Sequence, residues 1–344
     1  MHDRMNCHRG ASGLAWPGPA RSALAAETPR RIDESRCAVF FLPFTSFAFV
    51  LHAVKCNSWK SIADSRLGSN VGRCPTVGPS GRLPIKLIEA DLWSELKRLA
   101  IEQVEREPIL SGHLYDFVLR HRGYAEALTY LIAATLSNQV FSLAGMVDLI
   151  GQTVERHPDI VAASLDDLHA VNARDPASEC VLVPFLYYKG FKGLQAHRVA
   201  HALWSEDRRG VARFLQSRVA DSLAIDIHPA ARIGRGVFVD HGIGLVIGET
   251  SVVEDDVSIL QNVTLGGTGK ESGDRHPKIR RGVMIGAGAK VLGNIEVGEG
   301  SKVAAGSVVL TPVPPHTTAA GVPAKIVGTG RSDTPAFEMK QELE

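Results

Sequence analysis

Residues 279–309 read IRRGVMIGAGAKVLGNIEVGEGSKVAAGSVV. An Ile or Val stands at 279, 285, 291, 297, 303 and 309, six residues apart without a break. Upstream of a polar stretch, 266–277 (GGTGKESGDRHP), the same spacing resumes at Leu265, Ile259, Val253 and Ile247. After a slip of two residues it continues at Leu245, Val239, Ile233 and Ile227. The residue four beyond is usually small or β-branched, as at Ala231, Val257, Val283, Ala289, Ser301 and Ser307. Glycines fall between, at Gly234, Gly248, Gly286 and Gly298. Neither a helix nor an alternating strand has a period of six. A coil of three short parallel strands does, because each strand with its turn uses one hexapeptide. One aliphatic side chain per strand then points inward and stacks about 4.8 Å from its equivalent in the next coil. The spacing predicts a parallel β-helix of roughly five coils over 225–330. A doubly wound sheet would need helices between the strands, and none fit. The polar stretch reads as a loop thrown out of one coil, which costs little entropy and sits where function usually resides.

Before residue 225 the period changes. Leu92, Leu96 and Leu99, with Ile101 and Val104, form an apolar stripe opposite Glu95, Lys97 and Arg98, the pattern of an amphipathic helix. Further helices are expected at 109–121, 123–137, 143–156, 159–171, 185–204 and 207–223, with Pro108, Pro158 and Pro184 at starts or stops. The fold class is therefore α+β. An extension over 1–84 precedes an all-helical domain over 85–224, the β-helix domain over 225–330 and a flexible tail over 331–344.

The extension is set apart by composition. It carries eleven Lys/Arg against five Asp/Glu, where the remaining chain carries 27 against 32. It also holds Cys7, Cys37, Cys56 and Cys74, leaving only Cys180 in the body. Its apolar run, Cys37 to Val54, contains Pro43 and His52 and is a poor membrane span. The segment is read as a disordered or targeting extension: cytoplasmic residence is expected, with organelle targeting through residues 1–84 as the alternative. A net charge of +1 and 6% aromatic residues argue against a nucleic-acid or acidic-lipid binder. A single body cysteine excludes a disulfide framework and a thiolate metal cage.

Ionisable residues gather on one part of the β-helix: Asp226, His228, Asp240, His241 and Glu249, with Arg275 and His276 in the loop. Asp226 and His241 fall on adjacent coils. An Asp that accepts from one ring nitrogen of a His leaves the other as a base. His228 and His316 sit in proline-rich turns and read as turn residues. His228, His241 and His276 form a conceivable zinc set, but the Asp–His pairing competes for the same ring, and no metal is expected.

The stretches DIHPAARIGRGVFVDHGIGLVIGET (226–250), SILQNVTLGGTGKESGDRHPKIRRGVMIGAGAKVLGNIEVG (258–298), GSVVLTPVPPHTTAAGVPAKIVG (306–328) and RDPASECVLVPFLYYKGFKGLQAHRVAHALW (174–204) together resemble the serine O-acetyltransferases of the hexapeptide-repeat acyltransferases, over about 90–330. The resemblance implies a left-handed β-helix. It implies acetyl transfer from acetyl-CoA, a co-substrate rather than a permanently bound cofactor, to the hydroxyl of L-serine. The product would be O-acetyl-L-serine, on the way to cysteine. The family base matches His241 and its orienting carboxylate Asp226. Positions that hold the amino acid match Asp175, Asp240, Arg275 and His276, with Glu249 as a further polar member. Coenzyme contacts match Gly267, Ala287 and Ala305. The resemblance also implies a homo-oligomer, a trimer or a hexameric dimer of trimers, with the acceptor site between two subunits. The family's complex with O-acetylserine sulfhydrylase uses a terminal isoleucine, whereas this chain ends MKQELE, so weak or no docking is expected. The readings kept beside this one are a sugar acyltransferase on the same repeat, a β-helix zinc hydratase of the carbonic-anhydrase type, and a non-catalytic scaffold.

Overall fold

The computed structural model describes residues 85–269, 272–329 and 334–342, with backbone alone for 85–88. The expectations for residues 1–84, including the Cys37–Val54 run, lie outside the described residues.

Helices come first: α1 (Ile85–Arg106), α2 (Ser111–Leu114), α3 (Tyr124–Leu136), α4 (Leu143–Arg156), α5 (Asp159–Arg174), α6 (Leu182–Tyr187), α7 (Lys189–Ser205) and α8 (Arg209–Leu223). The start of α4 follows from its cap. Ser142 is extended, and its side chain accepts from Gly145 N at 3.2 Å, satisfying one of the free amides of the first turn. Two expected helices differ. The segment 109–121 is a 3₁₀ turn (Pro108–Leu110), the single turn of α2 and a π-helical turn (Tyr115–Leu119). The expected 185–204 helix is broken at Tyr188, whose backbone is extended (φ −74°, ψ 120°). The break lets α7 begin against the β-helix: a Cβ on Gly190 would lie 1.9 Å from Val239 O, and one on Gly193 would lie 2.7 Å from Ile225 Cδ1.

From Ile225 the chain winds through three faces. The first sheet holds β1 (Ile225–Ile227), β4 (Leu245–Ile247), β7 (Thr264–Gly266), β10 (Lys290–Leu292) and β13 (Val308–Val309). The second holds β2 (Arg232–Ile233), β5 (Val252–Val253), β8 (Lys278–Ile279) and β11 (Glu296–Val297). The third holds β3 (Phe238–Val239), β6 (Ser258–Ile259), β9 (Met284–Ile285), β12 (Lys302–Val303), β14 (Thr317–Gly321) and β15 (Ala324–Thr329). All pairings are parallel except β14 with β15. The register reports both interruptions seen in the sequence. Ile227 pairs with Ile247 across the slip and Leu265 with Val291 across the loop, while Ile247 pairs with Leu265 and Val291 with Val309 at the regular interval of three hexapeptides. Of the fourteen repeat positions only Ile233 is not fully buried. The β-helix of hexapeptide repeats is thus as expected.

Helices and coils share one hydrophobic core and a buried polar bolt. Asp167 on α5 accepts from Arg198 Nε and Gln195 Nε2 on α7 and from Val237 N, at 2.9–3.0 Å; Arg198 continues to Gly234 O at 2.7 Å. Such a pair is costly to break from one side, by about 3–5 kcal/mol. The described part of the expected flexible tail, 334–342, carries a short helix, α9 (Pro335–Glu338). Ala336 is fully buried, its carbonyl accepts from Ser258 Oγ at 2.8 Å, and the Phe337 ring lies 4.2 Å under the Arg174 guanidinium. Three aligned contacts hold this segment down, so it is not a free tail. No helix among the described residues is long and apolar enough to cross a membrane.

Candidate active site

The sequence-predicted residues divide between the two edges of the first sheet. The edge where its strands begin receives the chain from the third sheet through turns at 240–244, 260–263, 286–289 and 304–307. The edge where they end leads to the second sheet through 228–231, 248–251 and 266–277.

At the first edge stand Asp240 and His241. His241 has φ +54° and a side chain 70% exposed, with Nε2 3.8 Å from Asp240 Oδ1. This strained turn is wedged in place: the next residue, Gly242, has φ +78°, and a Cβ there would meet Gly190 Cα at 3.0 Å and Ile225 Cδ1 at 2.8 Å. The glycines of α7 therefore fix where the imidazole is presented. Asp175 closes α5 and faces the same place, accepting from Ala177 N at 2.8 Å. Burial raises the Asp240 carboxyl above its ordinary range, and the Asp175 charge adds to the rise, while His241 opposes it. The Tyr188 phenol is pushed up to about 12, first by burial and then by its hydrogen bond to Asp175. Two carboxylates facing one another in a half-buried place favour a cation between them. Tyr188 was not anticipated from the sequence; its position at the break between α6 and α7 is what brings it here.

Asp226 occupies the middle of β1 and points outward. Gly244 N donates to Ala224 O at 2.7 Å, so the turn carrying His241 runs beside β1. Among the described residues no hydrogen bond joins Asp226 to His241; the Asp226 carboxylate accepts from Gln216 Nε2 of α8 at 2.7 Å. The expected pair is adjacent but not closed within one chain.

The second edge holds His228, Glu249, Arg275 and His276. Arg275 Nη2 donates to Glu249 Oε2 at 2.8 Å, which holds the Glu249 carboxyl below its ordinary range. His276 is buried, and burial together with the Arg275 charge lowers its ring. Its Nδ1 accepts from Thr250 N at 3.1 Å, so the proton of the neutral ring is on Nε2. The ring lies flat on Gly248, where a Cβ would come within 2.1 Å of it. Thr250 organises the loop: its Oγ1 accepts from Arg275 N (3.0 Å) and His276 N (3.1 Å) and bonds His276 Nδ1 (2.9 Å). Thr250 was also missed, though a hydroxyl at the turn opposite a charged loop is a readable signal. His228 behaves as a turn residue, with Nδ1 accepting from Ala230 N at 3.1 Å and the ring set edge-on to Trp204.

The three coenzyme candidates divide as well. Ala287 and Ala305 lie in the turns of the first edge, linked by Gly306 N donating to Ala287 O at 2.8 Å. Gly267 lies at the second edge against Arg275, whose Cγ would be 3.5 Å from an added Cβ. The conceivable zinc set is split in the same manner, His241 on one edge and His228 and His276 on the other. Among the described residues no three His, Cys, Asp or Glu side chains have a metal-holding arrangement. A reading for metal ligands also passes over His197 and His201, four apart on α7. His201 Nδ1 donates to Pro229 O at 2.7 Å, and His197 is buried 5.9 Å from it, ring to ring. These two pin α7 to the first coil.

Comparison with known proteins agrees with this arrangement. A family model described as "Serine acetyltransferase, N-terminal" matches residues 92–196, and one described as "Bacterial transferase hexapeptide (six repeats)" matches 276–311. Serine acetyltransferase of Salmonella typhimurium is 52% identical over 252 residues, 73% of this chain and 92% of that protein. A solved serine acetyltransferase in complex with cysteine is 49% identical with a TM-score of 0.73, covering 74% of this chain and 99% of that one. One from Brucella abortus in complex with coenzyme A is 49% identical with a TM-score of 0.69, covering 70% and 96%. A helical body closed onto hexapeptide coils, and half-identity over nearly the whole of its relatives, place this chain in the serine acetyltransferase family, among the acyltransferases that form O-acetylserine.

Proposed function

We infer that this chain transfers acetyl from acetyl-CoA to the hydroxyl of L-serine with His241 as general base. The observation that carries the reading is the first edge, where a well-exposed imidazole stands beside two carboxylates that crowd one another. Serine is a zwitterion. Asp175 and Asp240 suit its ammonium, and an ammonium between them relieves their repulsion. Arg275 suits its carboxylate, since the guanidinium has five donors and Glu249 and the Gly273 carbonyl take only two of them. His276, held neutral with its Nε2 proton, is a further donor. Bound so, the serine hydroxyl is brought to His241, which accepts its proton as the oxygen attacks the thioester. Asp226, on the strand beside the His241 turn, is the carboxylate assigned to orient the ring.

The opposite placement of these groups supports an oligomeric site. Asp175, Asp240 and His241 lie at one edge of the sheet and Arg275 and His276 at the other, so a second copy, presenting its second edge to the first edge of this one, completes the pocket. The coenzyme candidates divide in the same sense, which suits an arm lying between two coils. A trimer, alone or doubled, has this head-to-tail contact. Cysteine carries the same ammonium and carboxylate as serine, and a complex with cysteine is known for a relative; competition with serine is expected.

The test is thiol release from acetyl-CoA with and without L-serine. Release that depends on serine, saturates with it and is not supported by sugars is the expected result. Release indifferent to serine would overturn the reading.

A further inference from the structure

The strand register draws one line along the corner between the third and first sheets. Val239 pairs with Ile259, Ile259 with Ile285, and Ile285 with Val303. Two residues beyond each stand His241, Gln261, Ala287 and Ala305. Backbone bonds set the turns against one another: Gly288 N donates to Gln261 O (2.9 Å) and Gly306 N to Ala287 O (2.8 Å), and in the same pattern Asn262 N donates to Ile243 O (2.8 Å), so Gln261 is in step with Ile243, two residues beyond His241 in the slipped turn. Gln261, Ala287 and Ala305 therefore follow one another at about one strand spacing, ~4.8 Å, and His241 stands in the turn of the coil before them, where the slip adds two residues. Between the turn of the base assigned above and the turns of the two small residues assigned to the coenzyme arm there is one turn, and Gln261 lies in it.

Packing does not explain this glutamine. Ile259 and Val263 on either side of the turn are the residues that fill the interior. The Gln261 Oε1 is buried without a hydrogen-bond partner, and its amide nitrogen, which is not buried, donates to no described residue. A shorter or apolar side chain would spare the coil an unmatched carbonyl, so stability does not account for the residue. What the arrangement leaves is a polar N–H on the turn between that of the base and those of the coenzyme arm.

We propose that Gln261 is a catalytic residue whose amide N–H donates to the thioester carbonyl oxygen of acetyl-CoA as that oxygen becomes negative. The proposal rests on His241 as base and on the coenzyme arm following this corner. Serine Oγ bonds to the carbonyl carbon while its proton passes to His241, and the carbonyl π pair moves onto the oxygen, where the Gln261 N–H meets it. The pair then returns to restore the carbonyl, the carbon–sulfur bond breaks, and the departing coenzyme A sulfur takes the proton back from the imidazolium. A donor placed at the oxyanion stabilises the transition state more than the bound substrates.

Gln261→Ala and Gln261→Glu, assayed by thiol release beside His241→Ala, test it. Loss of one such donor lowers kcat by about 10²–10³-fold. Both KM values should stay within about threefold, and the pH dependence of kcat due to His241 should persist. Gln261→Glu keeps the length of the side chain and brings a negative charge to the oxyanion, so its kcat should fall at least as far. It decides the matter where the Ala variant is unfolded by thermal melting. Should His241→Ala lower kcat while both Gln261 variants keep it within threefold, the role of Gln261 is overturned and the base reading stands. Should His241→Ala leave kcat unchanged, the base reading falls and the proposal with it. A higher acetyl-CoA KM at unchanged kcat would make Gln261 a ground-state contact and also overturn the proposal.

Discussion

Thr250→Val separates the organisation of the charged loop from the chemistry it supports. The hydroxyl removed is the acceptor of two backbone amides, those of Arg275 and His276, and a partner of the His276 ring. Valine fills nearly the same space but accepts nothing, so both amides lose their acceptor. Leaving a buried donor unmatched costs about 1–3 kcal/mol. Thr250 is half-buried, so water repairs part of the loss and the lower half of that range applies to the pair together, ~1–2 kcal/mol. If that energy is what holds Arg275 and His276 ready for the serine carboxylate, serine KM should rise about 5- to 30-fold. Acetyl-CoA KM should move much less, and kcat at saturating serine should stay within a few-fold. Initial-rate thiol release at varied serine and varied acetyl-CoA gives all three, and Thr250→Ser, which keeps the hydroxyl, is the control. A Val variant with serine KM within twofold of the parent would refute the reasoning. So would a Ser variant as impaired as Val, since the methyl group would then be what matters.

Three further outcomes are expected. His241→Ala should lower kcat by about 10²–10⁴-fold with little change in serine KM, and Asp226→Asn should lower it less, because the imidazole remains; steady-state kinetics decide it. Because burial and the Asp175 charge raise the Asp240 carboxyl, serine KM should climb as pH falls, starting above the ordinary range for an aspartate. Asp175→Asn, which removes the neighbouring charge, should shift that limb to lower pH in a KM–pH profile, and an unmoved limb would show that Asp240 does not govern it. Gly190→Ala should be strongly destabilising where α7 meets the coil, because its Cβ would stand 1.9 Å from a backbone oxygen. Overpacking of this kind costs about 1–3 kcal/mol or more, and a melting temperature equal to the parent's would refute the contact.

How much of this was legible depends on the range of the signal. The β-helix was readable down to its two interruptions, because each strand must send one aliphatic side chain inward. A slip or a loop cannot hide in a period of six. The helix over Leu143–Arg156 was equally plain, because its spacing is a local signal. The break at Tyr188 was not, since its cause is the approach of Gly190 to Val239, 49 positions away. The residues of the candidate site are ionisable neighbours in the sequence, yet their division between two edges becomes visible only when each is placed before or after a strand of the first sheet. The same holds for Asp226, whose outward direction follows from strand alternation rather than from its distance to His241. Gln261 is further removed still. It falls on the turn between those of His241 and Ala287 only after the slip and the loop are both subtracted from the register.

The two ends of the coil stack bear on how the protein behaves when concentrated. Parallel ladders of this kind expose amide and carbonyl rows at each terminus, and an unguarded pair would accept another molecule end to end. Here the first coil is covered by α7 and α8, with Gly193 seated on Ile225. On the third sheet, the last parallel strand, β14, is turned back by the antiparallel β15, with a register shift between Thr318 and Ala319. Neither the first coil nor the end of the third sheet offers a straight parallel edge for fibre growth. Lateral contact between coils, the kind that closes into a ring, is the route that the oligomer proposed above would use.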